Sequence, residues 1–410
     1  MIKKAMPVAA LGVLVAGAIL AASAQETALP PPPTVDVRAR VSADGRFVGD
    51  LTIDDFAVLE DGRPREISSL TLVRDGRIVR AEGAARPSPR VDRSYTLLFQ
   101  AVDWDPTLAE AIDYLFGSVL KSGDTMTLVT PIKSYSLQKD ALALKTKADL
   151  AQGMEDVLRK DILRGGGEYR DILRDLRRLI RAISGETTTI DEDMESDVST
   201  EVSGGLGLEM QIDRYRQSLM KLEGIRLVDE AKLVEFADAL KPVPGQKTVI
   251  LFYQREYRPE ISSATMSRMM TLYQGNPDIL GNLMDLFQFY RREKHFDADR
   301  VKKAFADAGI DFHFIFMERK SQRVFGATMR EQSEDTYPGF VEISLATGGT
   351  ADSSSNVAAA FKRAADASLD YYLLSYPAEG YVADGGFRTV EVSVERAGFQ
   401  VSNPLGYYAK

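Results

Sequence analysis

Residues 94–107 read SYTLLFQAVDWDPT. The apolar run Tyr95 to Val102 has the length of a buried strand, and Asp105-Pro106 behind it carries the signature of a helix N-cap and first helical position. Strand, tight loop and helix therefore follow one another directly. In open α/β sheets, ligands bind outside the carboxyl ends of such strands, so the residues from Gln100 to Thr107 are the first place to look for function.

The alternation that begins there continues. Leu108, Ile112, Leu115, Phe116, Val119 and Leu120 fall on one helical face, and Gly123 closes that helix. Thr125 to Thr130 and Ser134 to Gln138 read as short strands, while Thr248 to Tyr253 and Asp311 to Met317 are longer and rich in β-branched or aromatic residues. Helical periodicity separates them at 107–121, 141–160, 168–184, 210–240, 276–306 and 354–367. Such alternation predicts an α/β fold over 94–368, a doubly wound and mostly parallel sheet flanked by helices.

The flanks differ. Residues 35–73 alternate apolar and polar positions, broken by turn signals at Ala43-Asp44-Gly45 and Glu60-Asp61-Gly62, which predicts an antiparallel strand module. Residues 74–93 are rich in Arg, Gly, Pro and Ala and read as a linker. Over 369–410 the β pattern returns. Its segments 371–376 and 387–394, around a turn near Ala383-Asp384-Gly385, read as a hairpin. Each terminal group of strands is too small to fold alone, so the two are expected to pack together against the central domain.

The chain has 410 residues and 44% hydrophobic content, enough for a large core. Residues 1–24 have the parts of a secretory leader: Lys3 and Lys4, an apolar stretch from Met6 to Ala22, and Ala22-Ser23-Ala24 before Gln25. The stretch falls short of the ~20 apolar residues of a membrane span, and the later sequence holds no second such run. The expectation is export to the periplasm or the medium, with no membrane span after cleavage. Residues 25–34 then form a proline-rich spacer.

Cysteine is absent, which excludes disulfides, thiol chemistry and thiolate metal sites. Losing the two leader lysines takes the formal charge from −9 to −11. Nucleic acid is not an expected partner at that charge. The acidic stretch 185–209 spaces Asp191, Asp193 and Glu195 like the start of a calcium loop, but Ser196 and Val202 stand where glycine and a bidentate carboxylate belong. It reads as a solvated loop. The basic helix before it, with Arg170, Arg174, Arg177, Arg178 and Arg181, carries Leu173, Leu176, Ile180 and Ile183 on its other side and reads as a solvated face balancing that loop.

Several segments in order carry a family likeness: FVGDLTIDDFAVLEDGRPREI at 47–67, ATGGTADSSSNVAAAF at 346–361, YYLLSYPAE at 371–379, GGFRTVEVSVERAGFQV at 385–401 and GYYA at 406–409. Together they resemble the bacterial von Willebrand factor A-related domain proteins abundant in Acidobacteria, over nearly all of the mature chain. The resemblance implies a doubly wound central sheet. It also implies a divalent cation held by a strand-end Asp-x-Ser-x-Ser, a threonine on a later loop and an aspartate after the fourth strand. One coordination position would be left for a partner's acidic side chain.

This sequence departs from that pattern at all three loops. The strand-end positions fall at Gln100, Val102 and Trp104, and the threonine turn corresponds to Gly165-Gly166-Gly167-Glu168. The aspartate position holds Gln254, followed by Arg255, whose cationic head repels a metal. The expectation is a degenerate metal site with no cofactor. A shifted reading takes Asp103, Asp105 and Thr107 as oxygen ligands, completed by Glu168 or Glu256. Against it, Asp105 has a sufficient job as a helix cap.

Other chemistry is sparse. Of two histidines, His313 alternates within a strand and His295 lies in a charged stretch, with no recognisable triad and no Gly-x-Ser-x-Gly elbow. The glycine run 165–167 precedes a helix and could cradle a phosphate, but it lacks the Lys-Ser/Thr of a nucleotide loop. Trp104, the single tryptophan, is either an exposed anchor for a partner or a plug folded over the strand ends.

The resulting expectation is an exported, non-enzymatic protein–protein interaction module of the cell envelope. Its binding surface would comprise Gln100, Val102, Asp103, Trp104, Asp105, Gly167, Glu168, Gln254 and Tyr257. The alternatives are a metal-dependent adhesion module using Asp103, Asp105 and Thr107, and an envelope enzyme.

Overall fold

The strand Gln246–Gln254, QKTVILFYQ, is buried at every position. An unbroken apolar run is what a parallel strand covered on both faces requires. In the computed structural model, which describes residues 32–137, 140–185, 205–292, 296–396 and 398–410, this strand lies between Arg93–Gln100 and Ile310–Met317, parallel to both. Ala351–Ser354 extends the sheet in parallel beyond Ile310–Met317. Thr125–Val129 extends it in parallel on the other side, followed by Ser134–Leu137, which is antiparallel. Numbered in chain order, these six strands lie 3-2-1-4-5-6.

The pleat sorts the side chains to two faces. Tyr95, Leu97 and Phe99 join Ile250, Phe252, Ile315 and Met317 under the helices Thr107–Tyr114, Lys147–Gly165 and Val357–Leu369. Phe99 stacks on Phe252 with centroids 4.4 Å apart. On the opposite face Val249, Leu251 and Tyr253 join Ile310, Phe312, Phe314 and Phe316 under Glu230–Leu240, Ala298–Asp307 and Tyr337–Ala346. Helices thus cover both faces, as the alternation predicted.

A third core is built from helices. Gly167–Ile183, Gly205–Gly224, Ser263–Leu272 and Pro277–Tyr290 pack into a helical layer that takes in Val102 and Ile261. A two-stranded ladder, Tyr257–Ile261 with Ala327–Glu331, adjoins it. Two expected helices are each divided. The stretch 210–240 breaks between Gly224 and Glu230, where Asp229 caps the second helix through Lys232 N. The stretch 276–306 breaks before Ala298, where Asp297 accepts from Asp299 N.

The terminal strands pair with one another. Thr34–Ala43 and Ser69–Arg74 flank Asp370–Pro377, while Phe56–Glu60 pairs with Phe387–Val394. The two sheets enclose one core, with Val37, Val41, Val58, Leu70, Leu374, Tyr376 and Val392 inside. The expected hairpin of 371–376 with 387–394 is therefore corrected. Each strand has one apolar side, and the two sides share a core from opposite sheets instead of aligning edge to edge.

The expected linker 74–93 is also corrected, since Arg77–Gly83 is a strand paired with Ser69–Arg74. Its turn, Asp75-Gly76, has φ of 51° and 72°. Positive φ at both central residues suits the right-handed strand twist, and Asp44-Gly45 and Asp61-Gly62 repeat the device. The leader at 1–24, most of the acidic stretch 185–209 and His295 lie outside the described residues.

The two modules meet at a buried polar junction. Arg38 Nη1 reaches Asp311 Oδ2 at 2.7 Å, and the His313 Nδ1 accepts from Thr350 N at 3.2 Å. Burial, reinforced by Arg40 and Arg38, pushes His313 down from the ordinary range to about 3. The unfolded chain thus takes up a proton that the buried ring refuses, so stability rises with pH between about 3 and 6.5 and is lost as pH falls through that window. His313→Gln should flatten this dependence by up to about 1.4 kcal/mol per pH unit in urea unfolding. An unchanged slope would show that the ring is not held neutral.

Candidate functional site

Chain order reverses between Arg93–Gln100 and Gln246–Gln254, the point at which open α/β sheets place a ligand crevice at their carboxyl ends. Gln254 ends its strand with only 4% exposure. Its Oε1 accepts from Val102 N at 3.0 Å and Asp103 N at 2.9 Å, and its Nε2 donates to Asp103 O at 3.1 Å. One side-chain amide thus ties three backbone groups of the neighbouring loop. Gln254 and Val102, the latter 6% exposed, are interior residues that shape the surface without forming it.

The Val102 side chain enters the helical-layer core, and its carbonyl accepts from Arg170. Gly166 lies against the same carbonyl: a Cβ there would stand 2.2 Å from Val102 O. The glycine run is therefore a close backbone approach, and Gly166 N is taken by Ile162 O at 2.9 Å. Gly167 opens the helix and Glu168 is exposed in its first turn.

Asp103 faces two guanidinium groups. Its Oδ2 is 2.6 Å from Arg319 Nη2 and its Oδ1 is 3.6 Å from Arg170 Nη1. Arg319 comes from the loop after Ile310–Met317 and sits 5.5 Å from the Tyr169 ring centre. The Tyr169 hydroxyl donates to Tyr257 O at 3.0 Å and accepts from Tyr257 N at 3.2 Å. Burial, then the charge of Glu256, pushes that hydroxyl far above its ordinary value, so it stays protonated. Further along the same helix, Arg177 Nη1 donates to Gln322 Oε1 at 2.6 Å. Its burial and the nearby Arg319 and Arg181 lower its pKa, while Tyr169 and Asp103 oppose the shift.

The shifted ligand set is dispersed. Asp105 Oδ1 accepts from Thr107 N at 2.9 Å and from Thr107 Oγ1 at 2.8 Å, and the same hydroxyl accepts from Val357 N at 3.2 Å. The helix begins at Thr107, with Pro106 as its N-cap instead of its first residue and Asp105 still serving its first turn. Glu256 is 1% exposed and paired with Arg226 in the interior. Among the described residues, no group of three or more His, Asp or Glu is placed to hold a metal ion.

Trp104 is half-buried against the core beneath Thr107–Tyr114. Gln100 is half-buried at its strand end. Tyr257 faces a methionine-rich groove lined by Met266, Met270, Met284 and Phe287. Sequence reasoning missed Arg319, and it assigned Arg170 and Arg177 to a solvated face. The available signal was the basic composition of 318–326, ERKSQRVFG, directly after a strand whose end must lie beside the crevice.

No family model matches the chain, and no curated protein matches it in sequence. Among solved structures, the human COPII-coat protein Sec24c aligns at a TM-score of 0.32, with 7% identity over 78% of this chain and 44% of that chain. This chain spans less than half of that protein's length. A likeness of that size carries no argument about fold or function.

The Gln254 clamp has a measurable consequence. Gln254→Ala leaves two backbone N–H groups and a carbonyl at the buried loop without their partner, which should cost about 2–4 kcal/mol in chemical denaturation. A loss below about 0.5 kcal/mol would show that the loop is held by other contacts.

Proposed function

We propose that this chain is an exported, non-enzymatic protein-interaction module of the cell envelope, with a von Willebrand A-like core whose metal site has been lost. What carries the reading is the pairing of Asp103, the acidic side chain nearest the crevice, with Arg319 and Arg170. A guanidinium on each side of a carboxylate opposes a divalent cation electrostatically and uses the oxygens that would ligate it. The sheet order, with its antiparallel edge strand and its crevice between the first and fourth strands, is in keeping with such a core.

Recognition then falls to side chains at the rim: Asp103, Arg319, Arg177, Glu168 and the ring of Tyr257. His313 is inside the protein with its Nδ1 engaged by Thr350, so it offers no proton to a bound substrate. Among the described residues, no helix is long and apolar enough to cross a membrane. The proposed export rests on the leader at 1–24 alone.

Calorimetric titration of the mature chain with Mg²⁺, Mn²⁺ and Ca²⁺ should give no stoichiometric heat. Tight one-to-one binding that disappears in Asp103→Ala would overturn the reading and favour metal-dependent adhesion.

A further inference from the structure

The crevice rim is basic on a chain whose formal charge is −9. Arg170 and Arg319 converge on the carboxylate of Asp103, and Arg177 reaches the loop that carries Arg319 through Gln322. Lys320 and Arg323 are exposed on the same loop as Arg319, against one further acidic residue there, Glu318. Burial and the nearby charge of Arg319 disfavour the charged form of Arg177. An added anion favours that form.

Two of these guanidinium groups are already oriented. Arg319 lies over the Tyr169 ring and is braced by Asp103, with 18% of its side chain exposed. Arg177 is braced through Nη1 by Gln322, while its Nε is shielded from solvent and makes no hydrogen bond among the described residues. Pre-orientation lowers the entropy lost when a partner group docks.

The donor set selects the anion. A phosphate is best met by free backbone N–H groups at a helix start, and here Gly166 N is already engaged by Ile162 O at 2.9 Å. What remains are planar guanidinium forks, which match the two oxygens of a carboxylate. Asp103 itself is a carboxylate seated between two of them.

We propose that the rim formed by Arg177 and Arg319 binds carboxylate side chains, and that the partner presents an Asp- or Glu-rich segment to it. The proposal rests on the reading of this sheet edge as a protein-contact surface. It differs from ion-bridged adhesion in that the acidic side chain of the partner meets guanidinium directly.

Trp104 is the only tryptophan and adjoins Asp103, so its emission reports on the site. Titration of the mature chain with hexaglutamate at low salt should give a saturable change in that emission. Affinity should fall roughly tenfold between 50 and 500 mM NaCl, as screening demands. Arg177→Gln and Arg319→Gln should each weaken binding at least tenfold while thermal melting stays within a few degrees of wild type. Arg174→Gln, whose side chain is 69% exposed and paired with Asp171, should bind as wild type does.

If Arg319→Gln melts early, Arg177→Gln and Arg177→Lys decide: the lysine variant should bind better than the glutamine one because it keeps the charge. Equal affinity in wild type and Arg177→Gln overturns the proposal. So does tighter binding of a single-stranded oligonucleotide or of inorganic phosphate through the same arginines. The metal titration tests the underlying reading separately: absent peptide binding leaves the metal-free module standing, whereas cation binding at Asp103 removes both.

Discussion

The side-chain amide of Gln254 bridges two strands of the central sheet, and the carboxyl end of that sheet is organised around it. By accepting from Val102 N and Asp103 N and donating to Asp103 O, it sets where the loop after Arg93–Gln100 leaves the strand. The loop then turns Val102 inward to the helical layer, Asp103 outward to the arginines and Trp104 back onto the core. A residue that carried the charge of aspartate at position 254 would lose the donor half of this clamp. Neutral amide chemistry here therefore suits a fixed loop better than a ligand shell.

The helical layer changes what the crevice can be. Gly167–Ile183 packs against Val102 and sends Arg170 back to the carbonyl of the same residue, so the strand ends are partly roofed. Beside them the helix meets the loop bearing Arg319, through Arg177 with Gln322 and Tyr169 with Arg319. Charge rather than shape distinguishes this rim. Each ion pair at this rim is partly exposed and contributes little to stability alone, on the order of 1 kcal/mol or less. Their effect is to fix orientation and sign, which are the properties a recognition surface needs.

The opposite end of the sheet is built for strength. Arg93 makes a two-point contact with Asp124, through Nε at 3.0 Å and Nη2 at 2.6 Å, and Arg38 reaches Asp311 from the β module. Charge-assisted bonds between oriented, desolvated partners of this kind tie strand starts together in a chain that has no cysteine to cross-link. The antiparallel module closes over this end, with its first strand from the N-terminus and its central strand from the C-terminal region. Unfolding one module therefore disturbs the other.

Local chemistry made much of this legible. The unbroken apolar runs at 95–102 and 248–253, the Asp-Gly turns and the cap at Asp105 follow from period, φ preference and side-chain reach, all of which act over a few residues. The sequence by itself determined an α/β centre and β flanks. The partition of 370–377 and 387–394 between two sheets was decided only by tertiary structure, because an alternating strand satisfies its apolar side equally in either place. The same holds for the conversion of Gln254 from surface to clamp, and for the meeting of Arg319 with Asp103 across 216 residues of chain. Electrostatic pairing depends on distance in space, and no local pattern encodes the distance between two loops that the fold brings together.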